Sequence, residues 1–136
     1  PPTIQPLPGD RRFRHEGWQH PPFSWMAQSF LLDDDGKASE PLSIETSFWR
    51  PDAQANLEVA LAASGGWTEV LVGKIEVTKI ELTTDAVVRV PGAAVSQVAE
   101  QRIYGKVEGD LLYAIDRATA DHELRPHMWA RLRKQE

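Results

Sequence analysis

The sequence predicts an all-β domain, an antiparallel up-and-down β-barrel. Three observations carry that expectation. Apolar and polar residues alternate with period two in several segments, which is the pattern of a half-buried strand. β-Branched residues fill the middle of the chain, at Val70, Val72, Ile75, Val77, Ile80, Thr83, Thr84, Val87, Val88 and Val90. Turns rich in Gly, Pro, Asp and Ser break these runs at short intervals, as hairpin turns do.

The elements follow in order. Residues 1–10 carry four prolines and read as an irregular arm, without the charged-then-apolar order of a secretory leader. Strands are expected at 11–18 and 23–32. Asp33-Asp34-Asp35-Gly36-Lys37 is the next turn, and its acids lack the ligand spacing of a calcium loop. Strand 41–49 sets Leu42, Ile44, Thr46 and Phe48 on one face and Ser43, Glu45, Ser47 and Trp49 on the other. Arg50-Pro51-Asp52 turns the chain into strand 55–62, where Leu57, Val59 and Leu61 alternate with Glu58, Ala60 and Ala62. A helix competes only here, because alanine is abundant. The alternation and the closing Gly65-Gly66 decide for a strand. Ser64-Gly65-Gly66 is a hairpin turn and lacks phosphate-loop spacing.

Strands 67–77 and 79–90 hold most of the β-branched residues, the second with an irregularity at Asp85. Pro91-Gly92 leads to strand 97–107, and Glu108-Gly109-Asp110 turns it into strand 110–118. There Leu111, Tyr113 and Ile115 alternate with Leu112, Ala114 and Asp116. Ala120-Asp121-His122 leads to the last strand, 123–133. Eight or nine consecutive strands without a crossover helix form a meander. Closure into a barrel hides the edges of so long a meander, with a β-sandwich as the alternative. A barrel of about eight to ten strands leaves room inside for one small ligand.

The 136 residues fit one domain, 1–136, with no repeat or linker. Cysteine is absent, which excludes disulfides, thiolate metal sites and a cysteine nucleophile; it is compatible with the cytoplasm, the expected location. The net charge of −5 argues against a nucleic-acid partner. No apolar run approaches the ~20 residues of a spanning helix, so no membrane partner is expected.

Four histidines are candidates for chemistry. His15 and His20, five apart around Trp18, fall on opposite faces of a strand and do not share a metal. His122 belongs to a turn and reads as solvated. His127 lies in Leu124-Arg125-Pro126-His127-Met128-Trp129-Ala130-Arg131-Leu132, on the last strand. Two readings stay open for it: a packed imidazole satisfied by backbone, or the single axial ligand of a haem. Strict alternation puts it with Trp129 and Arg131, away from the apolar face of Met128, Ala130 and Leu132. A bulge at Pro126 would re-aim it. The five tryptophans, at 18, 25, 49, 67 and 129, either build an aromatic pocket or fill the core and rim. Glu45, mid-strand among apolar residues, is expected to pair with Arg50 or Arg102. The basic tail Arg131-Leu132-Arg133-Lys134 is too short to outweigh the acidic balance.

From Phe23 onward the order of motifs resembles the nitrobindin family. The matching residues are Glu45-Thr46-Ser47-Phe48-Trp49-Arg50-Pro51; Leu57-Glu58-Val59 with Ser64-Gly65, Glu69 and Gly73; Arg102, Tyr104, Gly109, Asp110, Leu111 and Tyr113; and Pro126-His127-Met128 with Leu132. The resemblance implies a lipocalin- or fatty-acid-binding-protein-like barrel of about nine to ten strands. It implies haem b, one per chain, with iron held by His127 and no catalytic residue beyond the iron. It implies isomerisation of peroxynitrite to nitrate, with nitric oxide as a further ligand, in scavenging or sensing. Pro2-Thr3-Ile4 resembles a family segment whose threonine touches the haem, which makes Thr3 a candidate contact. The family's first strand, Gly-x-Trp-x-Gly-x-Gly, has no counterpart here. The expectation is therefore that sequence precedes Pro1, or that another chain, as in a homodimer, covers the edge of strand 123–133. The alternative function is a haem-free lipocalin-like barrel for another small apolar ligand, or a structural protein whose tryptophans fill the barrel.

Overall fold

A computed structural model describes residues 23–135. Eight strands follow one another: β1 (Phe23–Leu32), β2 (Ala38–Pro51), β3 (Asn56–Ala63), β4 (Trp67–Ile75), β5 (Lys79–Arg89), β6 (Gln97–Val107), β7 (Asp110–Thr119) and β8 (His122–Leu132). They form one sheet in sequence order, each antiparallel to the next, with no helix among the described residues. The expected strand 11–18, the proline-rich arm and Thr3 lie outside the described residues, as do His15, Trp18 and His20. Every expected strand from residue 23 onward is present. The alanine-rich segment 56–63 is a strand of alternating burial, as its period requires.

Two strands, β2 and β4, differ from the expectation by more than one residue at an end. β2 begins at Ala38 and runs through Pro51, because β1 pairs along its whole length and carries its partner with it, with register shifts near Phe30 and Leu32. β4 ends at Ile75, where Glu76 N–H donates to the Lys79 carbonyl across a tight turn. The irregularity at Asp85 is a bulge: Val70 faces Ala86 and Leu71 faces Thr84, which leaves Asp85 over.

The sheet curls strongly. Flat strands lie about 4.8 Å apart, so β1 and β7 would be separated by about 29 Å. Instead the rings of Trp25 on β1 and Tyr113 on β7 are 5.9 Å apart, and Arg102 on β6 bonds Glu45 on β2. Among the described residues β1 pairs only with β2, and β8 only with β7.

Curling puts a core at one end of the sheet. Leu57, Val59, Leu61, Leu71, Leu82 and Ile115 pack there with Trp49, Tyr104 and Tyr113. Trp25, Trp49, Tyr104 and Tyr113 meet edge to face, tilted or stacked, with centroids 4.9–6.1 Å apart. Gly73 lets β5 approach: a Cβ there would lie 1.7 Å from the Glu81 carbonyl oxygen. On β2 the inward face near the core is the polar one: Ser47 and Trp49 are buried, whereas Phe48 points to solvent.

Candidate functional site

Above the aromatic core the inner face opens into a cavity of about 410 Å³, the size of a small-molecule site. Its apolar wall includes Ala27, Leu42, Ile44, Ala63, Ile115 and Met128. Its polar part includes Glu45, Arg102, Arg117 and His127.

His127 reaches this wall through a bulge. Ile115 faces Met128 and Asp116 faces Pro126, so His127 is the extra residue between them. Proline has no N–H for the ladder, and a bulge is where a strand tolerates it. The bulge turns His127 and Met128 to the same side, against the alternation that would have sent the imidazole outward. Trp129 then points out and is 75% exposed. Burial, aided by the Arg117 charge, lowers the His127 pKa below its ordinary value, so the ring is neutral at physiological pH.

His122 is half-buried rather than fully solvated, with Nδ1 2.8 Å from the Glu123 carbonyl oxygen. It does not line the cavity.

An ion-pair network runs from the aromatic floor of the cavity up its wall, from Arg102 to Arg117. Glu45 pairs with Arg102, one of its two expected partners, through both oxygens at 3.0 and 2.8 Å. Arg102 also donates to Glu100 at 2.8 Å and to the Tyr104 hydroxyl at 3.2 Å. Burial opposes the Arg102 charge, but these partners outweigh it and hold the guanidinium firmly protonated. Burial likewise raises the Tyr104 hydroxyl, so it stays a neutral acceptor for Arg102. Glu100 accepts Arg117 Nε and Nη2 on its other oxygen, at 3.3 and 3.1 Å. Arg50 pairs instead with Glu58 at the surface, at 3.9 Å.

Beside this network Glu69 is 2% exposed and accepts from Trp67 Nε1 at 3.2 Å, Gln97 Nε2 at 3.1 Å and the Thr84 hydroxyl. Burial, with Glu100 nearby, raises its pKa despite those bonds. It fixes the Trp67 indole, one wall of the cavity. Gly65 makes room for that ring, since a Cβ there would meet Trp67 Cζ3 at 2.4 Å. The tryptophans therefore divide among roles: Trp25 and Trp49 in the core, Trp67 in the cavity wall, Trp129 outside.

Glu100, Arg117, Gln97 and Thr84 were not candidates from the sequence alone. The available signal was charge at Glu100 and Arg102, two apart on a strand and so on one face, inside an otherwise apolar barrel.

The donor set suits haem. One neutral imidazole projects from an apolar wall, and haem iron asks for one such protein ligand. The family of the THAP4-like, heme-binding beta-barrel domain matches residues 10–134. The chain belongs to that family. Haem is its cofactor, and the all-β barrel is its fold. A ferric nitrobindin-like protein of Cutibacterium acnes is 49% identical over 111 residues, covering 81% of this chain and 67% of the relative. A peroxynitrite isomerase of Nocardioides sp. is 41% identical over 123 residues, covering 90% and 73%. The crystal structure of Rv2717c from M. tuberculosis superposes with a TM-score of 0.77 at 27% identity, covering 86% of this chain and 74% of that one. The resemblance to nitrobindins read from the motif order thus holds for this member of the haem-binding barrel family.

Proposed function

We propose that the chain holds haem b in the cavity above the aromatic core, through His127, and isomerises peroxynitrite to nitrate. The observation that carries this reading is the bulge at His127, which turns a neutral imidazole onto the wall of an otherwise largely apolar cavity. When bound, ferric haem would supply the centre at which peroxynitrite rearranges.

The chain supplies the rest. His127 offers one nitrogen, and among the described residues no group of three or more His, Cys, Asp or Glu is arranged to hold a metal ion. Ala27, Ile44, Ala63, Ile115 and Met128 exclude water and leave little to trap a charged product. Glu45, Arg102 and Glu100 occupy one another, which keeps them from acting as proton donors in the cavity. Nitric oxide, small and neutral, suits the same apolar space. A second copy of the chain would gain buried area at Trp129, exposed on β8.

Haem-loaded protein should accelerate peroxynitrite decay to nitrate and protect free tyrosine from nitration. The haem-free protein and His127→Ala should do neither. Equal decay with loaded and haem-free protein would remove the isomerase reading.

A further inference from the structure

Arg117 is the one member of the ion-pair network with an edge to spare. Arg102 uses every face of its guanidinium on Glu45, Glu100 and Tyr104. Arg117 gives Nε and Nη2 to a single oxygen of Glu100, and its Nη1 donates to no side chain among the described residues. The guanidinium lies over the Trp67 ring, 5.3 Å from its centroid, and lines the cavity. Stacking on an aromatic face leaves its in-plane donors free for a planar acceptor.

A second observation concerns the strand beside it. Across the β7–β8 ladder the register partner of Arg117 is Arg125. Residues directly opposite share a face, and like charges there are unfavourable. Arg125 is exposed and has no ion pair among the described residues. Glu100 takes Arg117 on one oxygen and Arg102 on the other, and Glu45 takes Arg102 on both of its own, so within this cluster Arg125 is the cation that a bound anion would balance.

The placement says which part of a ligand meets them. Both arginines stand within two residues of the bulge at His127, on its own strand or the next one. A flat ligand held at its centre by the imidazole turns its rim toward such neighbours, and its far face toward the opposite wall. The rim of haem carries two carboxylates. Arg117 also lies three residues before the β7–β8 turn, toward the end of the sheet away from the aromatic core. We infer that Arg117, in the cavity lining at the end away from the aromatic core, and Arg125 opposite it on β8 form a carboxylate-binding pair that seats a propionate of the bound haem. This rests on the haem reading above.

The probes are hemin and hemin dimethyl ester, titrated under identical detergent conditions and followed by the Soret band. Wild type should prefer hemin by about tenfold to a hundredfold, the worth of a charge-assisted hydrogen bond or two. Arg117→Gln should lose most of that preference, and Arg117→Lys should recover part of it. Arg125→Gln changes only an exposed side chain, so it tests the pair even where Arg117→Gln folds poorly; it should lose several-fold. Diester affinity should stay the same in wild type and Arg125→Gln, and the Arg117 variants are read by the ratio of hemin to diester affinity. Equal affinity of wild type for hemin and diester overturns the inference while leaving haem binding intact. No hemin binding by wild type overturns both. Unchanged preference in the variants with weakened azide binding to the ferric protein would place Arg117 beside the axial ligand instead, and would also overturn it.

Discussion

Replacing Arg102 by methionine should cost far more than an ordinary substitution. Its side chain is 4% exposed and stands between Glu45 and Glu100, whose side chains are 15% and 0% exposed. Methionine fills similar volume, so packing loss is small. What remains is Glu45 without its bidentate partner and Glu100 with Arg117 alone. Breaking a buried pair on one side costs about 3–5 kcal/mol, because a charge is left in a poor medium. For a domain of this size that lowers the melting temperature by about 12–20 °C. Urea unfolding at neutral pH, followed by tryptophan fluorescence, reads the loss directly. The double variant Glu45→Met/Arg102→Met removes both partners and leaves Glu100 with Arg117. It should be more stable than the sum of the single losses by about 1 kcal/mol or more. A single-variant loss below about 1 kcal/mol, or additive losses, would refute the claim that this network is a coupled unit.

Glu69→Gln keeps an oxygen for Trp67 and Gln97. Because burial raises the Glu69 pKa, its stabilising contribution is present below the ordinary carboxylate value and is lost as pH rises through the raised one. The variant should match wild type at about pH 4 and exceed it at about pH 8 in urea midpoint. Gly73→Ala should fail to fold or melt far lower, since its methyl would sit 1.7 Å from the Glu81 oxygen; an unchanged thermal scan would contradict the close β4–β5 approach. The His127 pKa is lowered from 6.5, so the imidazole resists protonation and bound haem should survive to a pH below that value. Haem release with a midpoint above 6.5, read by loss of the Soret band, would count against His127 as its holder.

The strands were legible because burial on one face writes itself into period two, as at Leu57, Val59 and Leu61. The sequence also contained the conflict at His127, an imidazole on the wrong face beside a proline, and the bulge that resolves it. Its link to haem came from the order of motifs rather than from the residue alone. The ion-pair network was only partly legible. Glu45 and Arg102 stand 57 residues apart and meet because the sheet curls, which no local pattern reports. Arg117 joins them through the register of β6 with β7, where it faces Glu100. The inward turn of the polar face of β2 was hidden for the same reason: Ser43 and Glu45 line a cavity and Ser47 is buried against Trp49, so polarity did not mark the solvent side.

The central claim is that His127 alone holds the haem. Hemin titration of wild type, His127→Ala and His122→Ala tests it most directly. Wild type and His122→Ala should each take up one haem per chain with the same ferric Soret band, and His127→Ala should lose it. Retention of that band by His127→Ala, or equal loss in both variants, would contradict the account.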